Sequence, residues 1–167
     1  RNFMPHLSWL APEGFSDQSE LRCELVRLAR EGALTEPRFA WMAPRKSVEE
    51  LYDCEADPWQ LNNLAGHPDC AATLAQLRAE LRAHLLEVRD LGFMPEWRIA
   101  MLAADGTAPA DAAADHATWP FERVLETAEG VGRPDAVPML LERTRDVDPA
   151  VRWWACVGLH SIGVRTD

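Results

Sequence analysis

The segment Glu50–Ala65 (ELYDCEADPWQLNNLA) carries the most information about the fold of the N-terminal half of this chain. Its apolar start predicts a short strand over Glu49–Asp53. The step Asp57-Pro58 then predicts a turn, because proline fixes its own φ and moves the preceding residue out of the α region. Two asparagines near the end of the segment are typical of residues that bond the local backbone before a helix begins.

The region downstream of this segment has the clearest helical pattern in the chain. Pro68 suits the first turn of a helix, and apolar residues then recur at intervals of three and four. The pattern predicts a helix over Pro68–Arg89. Its apolar face consists of Leu74, Leu77, Leu81, Leu85 and Val88.

The region upstream predicts shorter elements. Arg1–Pro12 has two prolines and no helical period, which indicates the end of a strand followed by an extended segment. Asp17 and Glu20 resemble a capping box at the start of a helix that ends near Gly32. A short helical turn is predicted over Pro37–Met42.

The C-terminal third differs in composition. Glu96–Ala103 predicts a short helix, and Ala104–Ala117, which has no large apolar residue, predicts a linker or exposed loop. Three helical blocks follow, over Trp119–Gly130, Pro134–Arg145 and Pro149–Gly163.

The last helical block has a well-marked start, with Asp148 as the N-cap and Pro149 in the first turn. Its sequence DPAVRWWACVGLHSIG resembles the second helix of a HEAT-type repeat, and PDAVPMLLERTRD resembles the first. One helix pair cannot bury its apolar face alone, so more repeats are expected after Asp167. The predicted apolar face of the last block consists of Val151, Trp154, Ala155, Leu159 and Ile162.

The composition argues against several classes of function. The chain has 17 Lys and Arg against 27 Asp and Glu, and its net charge of −10 opposes nonspecific binding to nucleic acid. No apolar run approaches the roughly 20 residues needed to span a bilayer, so no membrane partner is expected. The four cysteines lack the C-x-x-C spacing of a zinc site, and free thiols that are buried or half-buried are predicted.

The seven tryptophans allow two interpretations. Their rings could stack on sugars, or they could pack in cores and interfaces, and the second interpretation is favoured for most of them. Trp154 lies on the predicted apolar face of a helix. Trp59, beside the Asp-Pro step, is predicted to cover the turn between the strand and the next helix.

The order ELYD, DP, NL and helix resembles the C-terminal signature of the sulfatase family, and in particular its sulfamidase (N-sulfoglucosamine sulfohydrolase-like) branch. The resemblance covers residues 1–95. It implies the C-terminal subdomain of an alkaline-phosphatase-like α/β fold, in which a short antiparallel sheet packs with helices. The expected fold class is therefore α+β and mostly helical, with a HEAT-like α-hairpin extension. The expected divisions are a partial subdomain over 1–95, a linker over 96–117 and a partial HEAT-like repeat over 118–167.

Sulfatases use a formylglycine, made from Cys or Ser in a C-x-P-x-R or S-x-P-x-R motif, and a calcium ion held by Asp and Asn residues. The nearest approach is Cys23–Arg27 (CELVR), which has Leu25 where the motif requires proline and lies in a predicted helix. No catalytic or metal-binding residue is therefore assigned in this chain. The calcium ion and the formylglycine are expected in the parent enzyme, on residues outside this chain.

The resemblance identifies two candidate substrate-proximal residues, Arg1 and His6. In similar sulfatases this segment runs near the substrate-facing side of the C-terminal subdomain. A surface or turn histidine beside Pro5 is the favoured alternative for His6. The acidic turn of Asp53 and Asp57 lacks the glycine and glutamate positions of an EF-hand, so a structural turn is predicted there.

These features predict the C-terminal fragment of a sulfatase that hydrolyses sulfate esters or sulfamates of sulfated carbohydrates. The fragment alone is expected to be inactive, with a missing N-terminal catalytic domain of the same polypeptide as its partner. The resemblance implies a periplasmic or secreted location. Two alternatives stay open: a non-catalytic helical-repeat interaction module, and an inactive sulfatase-like protein.

Overall fold

The computed structural model describes residues 1–10, 13–36, 38–116 and 118–163. The chain divides into two compact units, Arg1–Ala65 and Gly66–Asp167. Within the described ranges all regular elements are helices, and no strand is formed. The expectation of a mostly helical chain is confirmed, whereas the expected sheet is not present in these ranges.

The predicted strand at Glu49–Asp53 is wrong, because a side chain takes the place of a partner strand. The Leu51 N–H donates to Oδ1 of Asn63 at 3.0 Å, and Nδ2 of Asn63 donates to the Glu49 carbonyl at 3.0 Å. The Leu64 N–H closes the loop onto the Leu51 carbonyl at 2.8 Å. An amide side chain has the same donor and acceptor as a peptide group, so the backbone is satisfied without a ladder.

In its described residues the first unit has two α-helices, α1 (Glu20–Arg30) and α2 (Arg38–Met42). Ser19 is the N-cap of α1, and its hydroxyl accepts the Arg22 N–H at 3.2 Å. Asp17, which the sequence suggested as the cap, instead pairs with the Arg22 guanidinium at 2.6 Å. A serine adjacent to the first helical residue is the better placed of the two acceptors.

The second unit has six α-helices in its described residues, and the bounds of all of them except α5 follow the predicted ones to within a few residues. In chain order they are α3 (Ala71–Val88), α4 (Glu96–Ala104), α5 (Pro109–Ala114), α6 (Phe121–Glu129), α7 (Val137–Arg143) and α8 (Pro149–Ile162). The predicted cap of α8 is confirmed, because Oδ1 of Asp148 accepts the Ala150 N–H at 2.8 Å.

The segment Ala104–Ala117, expected as a linker or exposed loop, contains helix α5 in its described part. Ala112 and Ala113 of that helix are buried at 5% exposure. The Arg89 side chain donates to the Ala113 carbonyl at 2.5 Å and to the Trp119 carbonyl. Alanine side chains have little apolar area, so the hydrophobic pattern of the sequence does not mark this segment as part of a core. Their small size nevertheless lets α5 pack closely against its neighbours.

The core of the second unit is formed where α8 packs against α6 and α7. Phe93 lies between two rings, 5.6 Å from Phe121 in an edge-on contact and 5.6 Å from Trp154. The Trp154 indole N–H donates to the Phe93 carbonyl at 2.9 Å, so this buried polar group is satisfied. The predicted core position of Trp154 is confirmed. The HEAT-like character of α7 and α8 stays a prediction, as do the domain limits at 95 and 117.

The predicted apolar face of α3 is only partly covered. Leu74 and Leu85 are buried, whereas Leu77, Leu81 and Val88 are exposed. The spacing of three and four between the leucines therefore predicted the helix correctly, but it did not predict which of these residues are buried.

Candidate functional site

The main candidate site is a groove of about 510 Å³ within the unit Arg1–Ala65. Its walls come from the segment around Trp9, from α2, and from the loop that follows Pro44. The chemically informative residues of the groove are Trp9, Trp41, Trp59, Tyr52, Arg45, Lys46, Glu36, Glu50, Gln60 and Asn63.

Three tryptophans of this groove present their rings to solvent. The exposed fractions are 49% for Trp9, 62% for Trp41 and 81% for Trp59. The expectation that most tryptophans pack in cores or interfaces is confirmed for Trp119 and Trp154, which are buried, and stays a prediction for these three exposed ones. Large apolar side chains gathered on one surface mark binding sites more often than single scattered ones do.

Trp9 and Trp41 are positioned by hydrogen bonds of a single serine. The Ser8 hydroxyl donates to the Trp41 carbonyl at 3.2 Å, and its oxygen accepts the Leu10 N–H at 3.3 Å. These contacts connect the segment that carries Trp9 with the end of α2. The backbone on these two sides of the groove is therefore already connected before a ligand binds, which lowers the cost of ordering it on binding.

Trp59 lies in a turn that is stabilised by two carboxylates. Oδ1 of Asp53 accepts the backbone N–H groups of Glu55 and Ala56, both at 3.1 Å. Oδ2 of Asp57 accepts the Asn62 N–H at 2.7 Å. The structural interpretation of this acidic turn is supported, since both carboxylates bond the local backbone.

The residue after Trp59 has an unusual backbone conformation. Gln60 has φ of 54°, which lies in the left-handed region that residues other than glycine seldom adopt. Its N–H donates to the Asp57 carbonyl at 3.1 Å. This conformation costs about 1 kcal/mol, and the hydrogen bonds of the surrounding turn maintain it.

The polar lining of the groove combines both signs of charge. Nζ of Lys46 lies 4.6 Å from the centroid of the Trp9 ring, a cation–π contact. Arg45 adds a second cation, and Glu36 and Glu50 add two carboxylates. Burial raises the pKa of the Tyr52 hydroxyl, and the nearby carboxylates of Glu50 and Asp57 raise it further.

The candidate residues Arg1 and His6 lie beside this groove in the chain, but neither is among its described lining residues. The segment that carries Arg1 and His6 lies alongside residues 46–48 of the groove wall. The Asn2 N–H donates to the Val48 carbonyl at 2.8 Å, and the Lys46 N–H donates to the Pro5 carbonyl at 3.0 Å. The Arg1 guanidinium lies 5.5 Å from the Phe3 ring centroid. Their proximity to a substrate stays a prediction.

The CELVR segment forms part of α1. Arg27 pairs with Glu24 at 2.6 Å and with Glu31 at 2.5 Å, as residues three and four apart on a helix commonly do. The hydrogen bond from Arg27 lowers the pKa of Glu24. Cys23, Cys54 and Cys156 are free and exposed, so the expectation of buried or half-buried thiols is wrong for these three.

A second cavity, of about 560 Å³, lies on the helical unit between α7 and α8. Its lining residues are Leu141, Glu142, Thr144, Arg145 and Cys156. It has one cation and no aromatic ring among the described residues, and it therefore offers less for specific recognition than the tryptophan-lined groove. In the described part of the chain, no three or more His, Cys, Asp or Glu side chains are grouped so that they could hold a metal ion. A search of the helices in the same described part found none whose length and apolar character would let it span a membrane.

Comparison with known proteins gives one informative similarity. An Ulvan-active sulfatase of Formosa agariphila is 36% identical to this chain over 96 residues, which are 58% of this chain and 16% of that protein. No family profile matches the chain, and no solved structure matches it. The similarity supports the resemblance to sulfatases that the ELYD segment suggested.

Proposed function

We propose that this chain is a C-terminal part of a sulfatase that hydrolyses sulfate esters or sulfamates, with sulfated carbohydrates as substrates. The observation that supports the proposal is the 36% identity over 96 residues with an Ulvan-active sulfatase. The matched region is a small part of that relative, so the catalytic centre is proposed to lie on a preceding domain of the same polypeptide. A periplasmic or secreted location is part of the same proposal.

The role proposed for this chain is structural support and formation of one side of the substrate pocket. Its described residues do not fit the calcium ion or the formylglycine of the family, because no metal-binding cluster is found among them and the CELVR segment is an ordinary helix. We therefore derive no catalytic step from the residues of this chain. Both groups are proposed to belong to the preceding domain.

The test compares the longer reading frame that contains this chain with the chain alone. Sulfate release from ulvan and from small aryl sulfates is measured with and without calcium, and C23S is the control variant. We expect turnover by the longer protein and none by the chain alone. Turnover by the chain alone that disappears in C23S would contradict the proposed division of roles.

A non-catalytic interaction module is the second candidate. The observation that favours it is the packed helical unit, in which Leu141 of α7 and Val147 of the connection between α7 and α8 are exposed at 40% and 86%. An inactive sulfatase-like protein is distinguished by the same experiment, because its longer reading frame would lack the nucleophile motif and release no sulfate.

A further inference from the structure

We propose that the tryptophan-lined groove is a binding site for a sulfated sugar. In this assignment a pyranose ring stacks on the exposed indoles, and Lys46 and Arg45 hold the sulfate group. The sulfated nature of the ligand rests on the proposed function, whereas the stacking of a sugar ring rests on the groove alone.

The first step of the argument is the exposure of the rings. A ring that is 62% exposed, as in Trp41, or 81% exposed, as in Trp59, contributes little to the stability of the unit that carries it. Among the residues of this unit whose side-chain burial is described, only Pro5 is buried, so those residues form no large core that the rings could have joined. Sugar faces offer C–H groups that pack on indole faces, and these rings are available for that contact.

The second step is the mixture of polar groups around the rings. The centre of a protein–protein interface is depleted of charged residues, but this groove includes two cations and two carboxylates. Carboxylates and side-chain amides such as that of Gln60 suit the many hydroxyl groups of a sugar. The lining therefore favours a carbohydrate over a second protein.

The third step is the position of the cation. Nζ of Lys46 lies 4.6 Å from the Trp9 ring centroid, so a positive charge and a stacking surface are adjacent. The whole chain has a net charge of −10, which repels polyanions at long range. Recognition of a sulfate must therefore depend on these local cations, and we expect a weak salt dependence that corresponds to one or two ion contacts rather than to a long basic track.

The binding test uses affinity electrophoresis and calorimetric titration of the whole chain. Ulvan, a carrageenan and a chondroitin sulfate are the sulfated probes, and chemically desulfated samples of each, dextran and inorganic sulfate are the comparison probes. We expect at least one sulfated probe to bind, its desulfated form to bind about tenfold more weakly, and inorganic sulfate not to compete at equal concentration.

Single substitutions identify the groove. W41A and W59A should each weaken binding by about tenfold, and K46A should remove most of the preference for the sulfated form. W97A is the matched control, because Trp97 is also exposed, at 39%, but lies in the second unit. Near-ultraviolet circular dichroism and thermal unfolding check that each variant keeps its fold.

A second measurement does not depend on any variant. With 5-fluorotryptophan incorporated, the chain has seven fluorine signals. We expect the sulfated probe to shift the signals of Trp9, Trp41 and Trp59 and to leave those of the buried Trp119 and Trp154 in place. Shifts confined to the other tryptophans would overturn the assignment.

The outcomes separate this inference from the proposed function. If W41A, W59A and W97A bind every probe like the original chain, or if no probe binds, the groove is not a sugar site even when the longer protein releases sulfate. If the groove binds sulfated sugars but the longer protein has no sulfatase activity, the proposed function fails and the inference stands. Equal binding of sulfated and desulfated probes overturns the role given to Lys46.

Discussion

Gly158 of α8 provides the sharpest test of the packing in the helical unit. A Cβ added to Gly158 would lie 2.8 Å from both Cδ1 and Cδ2 of Leu140 on α7. Such distances are well inside van der Waals contact, and Leu140 is fully buried. In an exposed helix the change from Gly to Ala would stabilise the protein by about 1 kcal/mol, so the packing and the helix propensity oppose each other at this position.

The magnitude follows from the space available to Leu140. A Cβ on Gly130 would lie 3.1 Å from the same Cδ2, so the leucine is bounded on a second side and cannot rotate away freely. Overpacking in a core costs about 1–3 kcal/mol, of which helix propensity offsets about 1 kcal/mol. We expect G158A to lower the free energy of unfolding by about 1 kcal/mol.

The reverse sign is expected when the leucine is shortened. L140A removes Cδ1 and Cδ2 and should itself cost about 2–5 kcal/mol. In that background the new methyl group meets no obstacle, and G158A should stabilise the chain by about 1 kcal/mol. The coupling between the two substitutions is therefore about 2 kcal/mol.

The assay is urea unfolding of the four proteins, followed by far-ultraviolet circular dichroism at equilibrium. L140V replaces L140A if the larger deletion prevents folding. The reasoning is refuted if G158A stabilises the original chain, or if the two effects add within about 0.5 kcal/mol.

Three further substitutions test particular contacts by the same unfolding assay. R89A should lower the free energy of unfolding by about 2–3 kcal/mol, because the bonds to the Ala113 and Trp119 carbonyls are lost. R89G should be about 1 kcal/mol more stable than R89A, because φ of Arg89 is 50° and glycine adopts that conformation without strain. A glycine variant less stable than the alanine variant would contradict this account. R98A should cost about 3 kcal/mol, since Nη1 of Arg98 pairs with Asp148 at 2.9 Å, with 13% and 12% side-chain exposure, while Nη2 donates to the Thr118 carbonyl. R98K has one nitrogen and should recover only part of that loss; full recovery by R98K would show that the two guanidinium nitrogens are not both needed. N63A should cost about 1 kcal/mol. N63D should cost at least as much, because a carboxylate oxygen would face the Glu49 carbonyl oxygen in place of the amide donor; a neutral N63A would show that the amide does not replace a strand partner.

The helices of the second unit could be predicted from the sequence because local signals agree there. Asp148 and Pro149 set the start of α8, and the apolar spacing that follows gives the face that is buried against α6 and α7. Each of these signals depends on residues only a few positions apart, so it can be read from the sequence without knowledge of the tertiary structure.

The first unit was harder to predict because its decisive contacts join residues far apart in the sequence. Leu51 and Tyr52 have the side chains of a strand, but Asn63, twelve residues after Leu51, supplies the hydrogen bonds that a partner strand would have made. The groove likewise depends on three tryptophans that are 32 and 18 residues apart along the chain, from Trp9 to Trp41 and on to Trp59. No local pattern relates their positions.

The sequence by itself therefore determined most of the helical blocks, the cap of α8, the acidic turn and the resemblance to sulfatases, since these depend on residue type at short spacing. The tertiary structure decided which residues of each predicted apolar face are covered, as on α3, where Leu74 and Leu85 are buried and Leu77 is exposed. Burial depends on what packs from elsewhere in the chain, and for that reason Trp154 lies in a core while Trp59 faces solvent.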